Sequence, residues 1–226
     1  MRDRARGSSR WFVLLLGVCV APLAVAPAWG QEDWSADGAA EFSLSMGYAN
    51  VSLRHSDVID GESAFRFEPV LSLAPLKPLP QLRVGADLGV TLVLDNTQRT
   101  VISNNGTLIV AGSSDVPLWL LEPELRLSWR QYFGESHTVF VEGGAAGGVA
   151  FGFFQLNTSQ DGTGDSYDKD DSTVFGRVFL RAGARVTGGL AGIEASYLAG
   201  NKLDFGGNAA GDLTEWYVGI FGALVF

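Results

Sequence analysis

The chain has 226 residues, with 16 Lys plus Arg, 25 Asp plus Glu and a formal net charge of −9, a length that suits one domain or two small ones. Hydrophobic residues make up 46% and charged residues 18%, which excludes a largely disordered protein, and the acidic balance argues against a nucleic-acid partner. The 29 glycines disfavour a helical bundle and favour an all-β chain.

The N-terminus sets Arg2, Arg4, Arg6 and Arg10 against a single Asp3, followed by an apolar run from Trp11 to Pro27. Ala26-Pro27-Ala28 and Ala28-Trp29-Gly30 are both small-x-small cleavage sites. This is the pattern of a secretory signal peptide over residues 1–28, with Gly30 as the alternative end point. The competing reading is an uncleaved anchor. The run is short for a spanning helix, and Pro22 and Pro27 interrupt it. Cys19, the only cysteine, follows Val18 rather than a small residue, so it does not read as a lipidation site. Cleavage after Ala28 removes four arginines and one aspartate and leaves a net charge of −12. Residues 31–39 read as a short periplasmic segment preceding a barrel over 40–226.

From about Ala40 onward the apolar period is two rather than 3.6. Eight alternating segments follow: 40–54, 62–74, 82–95, 116–133, 137–155, 173–187, 190–200 and 212–226. The third is the clearest. Leu82, Val84, Ala86, Leu88, Val90, Leu92 and Leu94 form one face, and Arg83, Gly85, Asp87, Gly89 and Thr91 the other. Each segment is long enough for a tilted membrane-crossing strand. Short connections at 75–80, Gly134-Glu135-Ser136 and Gly188-Gly189 alternate with longer polar ones expected at 96–115, 156–172 and 201–211. That layout is expected of an outer-membrane barrel with both termini at the short-turn end. A weak internal repeat relates Phe67-Glu68-Pro69-Val70-Leu71-Ser72-Leu73 to Leu121-Glu122-Pro123-Glu124-Leu125-Arg126-Leu127.

Alternation alone does not say which face is inside, because a soluble lipocalin-like barrel also alternates. Three features favour charges inside and apolar residues outside. The charged faces carry no lysine, and Lys77, Lys169 and Lys202 all fall in turns or loops. The enclosed sets nearly balance, as buried charges require. The basic set is Arg66, Arg83, Arg126, Arg130, Arg177, Arg181 and Arg185. The acidic set is Glu41, Glu68, Asp87, Glu122, Glu124, Glu142, Glu194 and Glu215. Outward aromatics gather at strand ends, with Phe65, Phe67, Trp119, Phe151, Phe153, Tyr197 and Trp216 at one end and Phe42, Trp129, Phe133 and Phe226 at the other, as membrane girdles do. Within the enclosed set, Glu142 and Glu194 are the expected partners of Arg177, Arg181 and Arg185.

The last strand sets Trp216, Val218, Ile220, Leu224 and Phe226 on one face and stops at an aromatic. With these residues the chain resembles the small eight-stranded outer-membrane β-barrels of Gram-negative bacteria, the OmpA-, OmpX- and OmpW-like barrels, without selecting one subfamily. The resemblance covers roughly residues 40–226. It implies an all-β up-and-down barrel with periplasmic termini, embedded among outer-membrane lipid and lipopolysaccharide. It also implies that Phe226, Leu224 and Trp216 form the signal read by the barrel-assembly machinery.

A barrel of this size is filled by side chains or holds one small ligand. The long arginines and glutamates, with Phe140, Phe175, Phe179, Tyr217 and Phe221, are expected to plug it, leaving a structural or surface-interaction role. The alternative is binding or transport of a small hydrophobic molecule beside the inward Gly144, Ala146, Gly148, Ala150 and Gly152. A less favoured alternative is a lipid A-modifying enzyme built on His55 with Ser56, Asp57, Ser113, Ser114 and Asp115, since His137 lies at the short-turn end. Asn105-Gly106 between β-branched runs predicts a projecting hairpin within 96–115 that offers an edge to an extracellular partner. The acidic stretch 161–171 has oxygen ligands of the kind Ca²⁺ takes but lacks the EF-hand spacing, which favours a solvated loop. No zinc, phosphate-binding or dinucleotide motif is present, and no catalytic, cofactor or metal residue is assigned.

Overall fold

The computed structural model describes residues 40–54, 56, 59–74, 81–93, 100–104, 107–111, 118–134, 138–160, 163–206 and 209–226. The expected signal peptide, the 31–39 segment, His55, His137 and the Asn105-Gly106 pair lie outside the described residues.

Ten strands form. They are β1 (Ala40–Arg54), β2 (Glu62–Leu73), β3 (Leu82–Val93), β4 (Thr100–Asn104), β5 (Thr107–Ala111), β6 (Leu118–Phe133), β7 (Val139–Gln160), β8 (Thr163–Val186), β9 (Gly189–Asp204) and β10 (Ala210–Val225). Eight of them close an antiparallel barrel in the order β1-β10-β9-β8-β7-β6-β3-β2, and β4 and β5 pair separately as a two-stranded ribbon. The barrel strands are the eight alternating segments. The ribbon is the hairpin expected within 96–115.

The registers fix the barrel's shape. A path from Phe42 crosses the ladders through Leu71, Ala86, Leu125, Gly147, Gly176, Ala199 and Thr214. It returns to β1 at Ser52, ten residues from its start. With ordinary strand spacings, eight strands and this stagger give a tilt of about 41° and a radius of about 8 Å. A lumen of that width is spanned by two long side chains reaching from opposite walls.

The faces segregate as the alternation requires. On β3, Arg83, Asp87 and Thr91 are buried while Val84 and Leu88 are exposed. Leu125, Val178, Leu180, Ile193 and Ile220 are each more than half exposed on the outside. A continuous apolar belt of this kind needs a lipid surrounding. On β8 the belt runs from Val174 to Val186, about 30 Å of axial height at this tilt. Trp119, Phe153, Tyr197 and Trp216 are exposed near one rim, and Trp129, Phe133 and Phe226 near the other. Gly134 and Gly188, both at φ +84°, sit in the short turns. That conformation costs glycine little and a side-chain-bearing residue more. The Phe226 amide donates to the Ala40 carbonyl, so both described chain ends lie at this short-turn end.

Two expectations are corrected. Residues 156–172 are not a polar loop: β7 and β8 stay paired from Val139↔Ala184 to Gln160↔Thr163. In the sequence the dipeptide between them, Asp161-Gly162, is of the kind that favours a two-residue hairpin connection, a signal that the acidity of the stretch obscured. The ladders to β6 and β9 reach only Phe154 and Phe175, so the β7–β8 hairpin stands free of them for roughly 20 Å. Residues 201–211 are mostly strand as well, since β9 continues to Asp204 and β10 begins at Ala210.

Candidate functional site

The lumen is built in three layers. The middle layer is ionic and holds most of the inward charges. Arg66 on β2 lies at its centre with no solvent exposure. Its Nε and Nη2 donate to Glu68 Oε2 at 2.9 and 2.6 Å, and its Nη1 donates to Glu122, to Glu215 Oε1 at 3.1 Å and to Thr91 Oγ1 at 3.1 Å. The Thr91 hydroxyl in turn donates to Glu215 Oε2 at 2.9 Å. Arg177 on β8 reaches the same acids from the far wall, donating from Nη2 to Glu122 Oε2 at 2.6 Å and from Nε to Glu124 Oε2 at 3.0 Å.

A second group sits toward the short-turn end. Arg130 donates to Glu142 Oε2 at 2.8 and 2.5 Å, and to both oxygens of Glu41 at 2.6 and 3.0 Å. Arg83 Nη2 lies 3.3 Å from Glu41 Oε2. Arg181 donates from Nε to Glu194 Oε2 at 2.7 Å and from Nη1 to Ser43 Oγ at 3.3 Å. Arg126 links the two groups. It donates to Glu68 Oε1 at 3.2 Å and Glu194 Oε1 at 3.5 Å, and its Nε lies 3.4 Å from Asp87 Oδ2. Charges this well enclosed survive only in such company, because each removed partner leaves an uncompensated buried ion.

Arginine suits this role because its planar fork serves several oxygens at once and its face stacks on rings. Arg126 lies 3.9 Å from the Phe179 ring centroid, Arg130 4.8 Å from Phe140 and Arg181 5.0 Å from Phe221. Arg185, nearer the strand end and half-buried, lies 4.9 Å from the Tyr132 ring.

The expected pairing of strand β8 is therefore redistributed. Arg181 does meet Glu194, its direct register partner. Glu142, the other register partner of Arg181, is held instead by Arg130 and by the Ser128 hydroxyl at 2.6 Å. Arg177 turns to Glu122 and Glu124. The strand-to-strand alternation assigns each group a face but does not say which way a long side chain leans. R181L is expected to cost about 3–5 kcal/mol, and R181L/E194L less. A double-mutant cycle by urea unfolding in lipid vesicles should find strong coupling to Glu194 and weak coupling to Glu142. Equal coupling to both would contradict the observed geometry.

Two apolar layers close the ionic one. Toward the hairpin end, Leu53, Ile59, Leu118, Leu120, Phe154, Leu203, Phe205 and Leu213 form a buried cluster, in which Phe154 and Phe205 stack at 5.4 Å. Toward the short-turn end, Phe140, Leu190, Phe221 and Ala223 cluster with Tyr132 and Val225 packed on them. Sequence reasoning missed Leu203, Phe205 and Ile59. The signal was present in Leu203 and Phe205, which alternate with Lys202 and Asp204.

The inward glycines of β7 are filled, not open. A Cβ on Gly144 would lie 2.6 Å from Phe179 Cζ, and one on Gly152 would lie 2.5 Å from Phe205 Cζ. Small residues on β7 thus receive rings from β8 and from the β9–β10 connection, and the expected alternative of an apolar cavity beside this strand is corrected. Of the residues weighed for catalysis, Ser56 is described. It is buried, and its hydroxyl accepts from the Ile59 amide at 3.3 Å, tying the β1–β2 connection. Trp216, Leu224 and Phe226 lie on the outer face of β10, with Phe226 72% exposed.

No family model and no curated protein matches the sequence. Among solved structures the chain is similar to Neisserial surface protein A, with a TM-score of 0.50 at 12% identity, covering 83% of this chain and 99% of that one. It is also similar to Ail, the attachment invasion locus protein of Yersinia pestis, with a TM-score of 0.47 at 14% identity and the same coverages. A major outer membrane protein from Thermus thermophilus gives 0.46 at 12%, again covering 83% and 99%. At such identities the likeness is one of fold: the chain has the eight-stranded barrel architecture of outer-membrane proteins.

Proposed function

We propose that this protein is a closed outer-membrane barrel whose working surface is its hairpin end, and whose lumen serves stability rather than transport. The observation that carries this reading is the filled interior: an ionic layer between two apolar ones, with Arg66, Phe205 and Phe140 all fully buried. An ion or solute would have to displace every one of these groups to pass.

The same reading sets the short turns and both chain ends in the periplasm, with export by the N-terminal signal over 1–28. Insertion by the barrel-assembly machinery would use Phe226, Leu224 and Trp216. Outer-membrane lipid and lipopolysaccharide would meet the belt. At its hairpin-side rim a groove of about 420 Å³ joins Trp119 and Phe153 to Gln155, Asp168, Lys169 and Asp170, which sets rings beside acyl chains and polar groups beside headgroups. Beyond the rim, the β4–β5 ribbon, whose β5 lies against β7, and the β7–β8 hairpin supply strand edges to an extracellular partner.

The test is fractionation followed by planar-bilayer recording of the purified barrel. Recovery in the outer membrane with no large steady conductance is expected. Recovery in the soluble periplasm, or porin-like conductance, would overturn the reading.

A further inference from the structure

The ionic layer is not evenly balanced. The group nearer the short turns sets Arg83, Arg130 and Arg181 against Glu41, Glu142 and Glu194, three against three apart from the half-buried Arg185 at the strand end. The group nearer the hairpins sets Arg66, Arg126 and Arg177 against Glu68, Asp87, Glu122, Glu124 and Glu215. That is three against five, an acidic excess of two charges in a place closed to water.

The excess has a location. Asp87 on β3 and Glu124 on β6 are direct register partners and both point inward. Glu68 stands beside them on β2, and one oxygen from each of the three lies within 4.8 Å of the others. No N–H or hydroxyl group donates to either oxygen of Asp87 or to Glu124 Oε1, and the two carboxyls stand within hydrogen-bonding reach of each other. The Asp87 side chain has no solvent exposure, and the cation beside it is Arg126, with Nε at 3.4 Å. A buried carboxylate that has an ion pair but no hydrogen-bond donor is costly for a fold to carry. Asp87 and Glu124 thus bring three oxygens without an N–H or hydroxyl donor to Glu68, whose own oxygens are held by Arg66 and Arg126, and the local excess of two negative charges is what one divalent cation would offset.

We propose that Asp87, Glu124 and Glu68 hold a divalent metal ion that offsets the acidic excess of the hairpin-side group. The donor set is oxygen alone, which selects a hard ion of the Ca²⁺, Mg²⁺ or Mn²⁺ class over zinc or copper, and water fills the remaining positions. The ion enters as the barrel closes, because the apolar layers shut the lumen afterwards. It therefore acts as a structural staple, whatever the hairpin end binds.

Mn²⁺ provides the probe. The mature barrel, refolded into detergent in MnCl₂ and desalted, is expected to retain one Mn²⁺ per chain, with the ion's paramagnetic resonance signal broadened by immobilisation. Refolding with excess Ca²⁺ or Mg²⁺ should displace it. D87N and E124Q should lose it, whereas E142Q, in the balanced group, should keep it. Chelator present during refolding should lower the wild-type melting temperature and leave that of D87N unchanged. A folded wild-type barrel that retains no Mn²⁺, and whose melting temperature is the same with and without chelator, would overturn the proposal. Protons shared between the facing carboxyls would then balance the charge, visible as a protonated-carboxyl infrared band that D87N reduces.

Discussion

Arg66→Leu is expected to be the most damaging single substitution in the lumen, costing at least about 3–5 kcal/mol. Its one guanidinium reaches Glu68, Glu122 and Glu215 together, in a group that already has more acids than arginines. Removing it strands carboxylates that have no route to water, and the loss is that of leaving them buried, not only of the contacts themselves. Arg66→Lys restores the charge but not the fork. A compact ammonium cannot donate along the directions now used by Nε, Nη1 and Nη2, so most of the loss should persist. Neutralising the acids as well, in R66L/E122Q/E215Q, should recover part of it. Urea unfolding in vesicles measures all three. Wild-type stability in R66L would mean that this wall of β2 faces outward, against the register that sets Phe65 and Phe67 there.

Which residues share a face was legible in the sequence, and the reason is geometric. A strand has a side-chain period of two, so one correctly placed charge fixes the facing of every neighbour on its strand. Arg83, Asp87, Arg177 and Arg181 therefore declare their side through alternation alone. The internal repeat also has a structural meaning. Glu68-Pro69 and Glu122-Pro123 lie on β2 and β6, the two strands that flank β3, and their two glutamates both bind Arg66. What alternation could not convey was reach. An arginine or glutamate extends far enough to choose among several partners across a radius of about 8 Å, so Glu142 goes to Arg130 rather than to its register neighbour. Alternation also gave no warning that its sense changes beyond the apolar belt. There the apolar residues turn inward and the polar ones outward, as in a water-soluble barrel. Leu203, Phe205 and Leu213 follow this second rule, which is why a stretch rich in Asp, Asn and Gly read as loop.

The change of rule predicts how the hairpin-end layer behaves when cut. Phe205 is fully buried, stacks on Phe154 and occupies the volume that Gly152 leaves free. Its backbone is fixed by an amide-to-carbonyl bond to Ala209 at 3.0 Å, so the ring has little freedom to be replaced by a neighbour. Phe205→Ala is therefore expected to leave a cavity and cost about 3–5 kcal/mol. Gly152→Leu in the same chain fills that space from the opposite wall and should return part of the loss. Gly152→Leu alone must collide with the Phe205 ring and should destabilise by about 1–3 kcal/mol. The opposite signs of one substitution in two backgrounds distinguish volume exchange from a general dislike of leucine at this position. Conductance supplies the second measurement. The ionic layer beneath remains intact in Phe205→Ala, so the barrel should stay closed in a planar bilayer despite its lower stability. If the variant opens a steady channel, the apolar layer is the seal and the arginines beneath it are passable. If it stays closed, the arginine–carboxylate layer blocks the lumen by itself, and the apolar layer serves to hold the strands together where no lipid surrounds them.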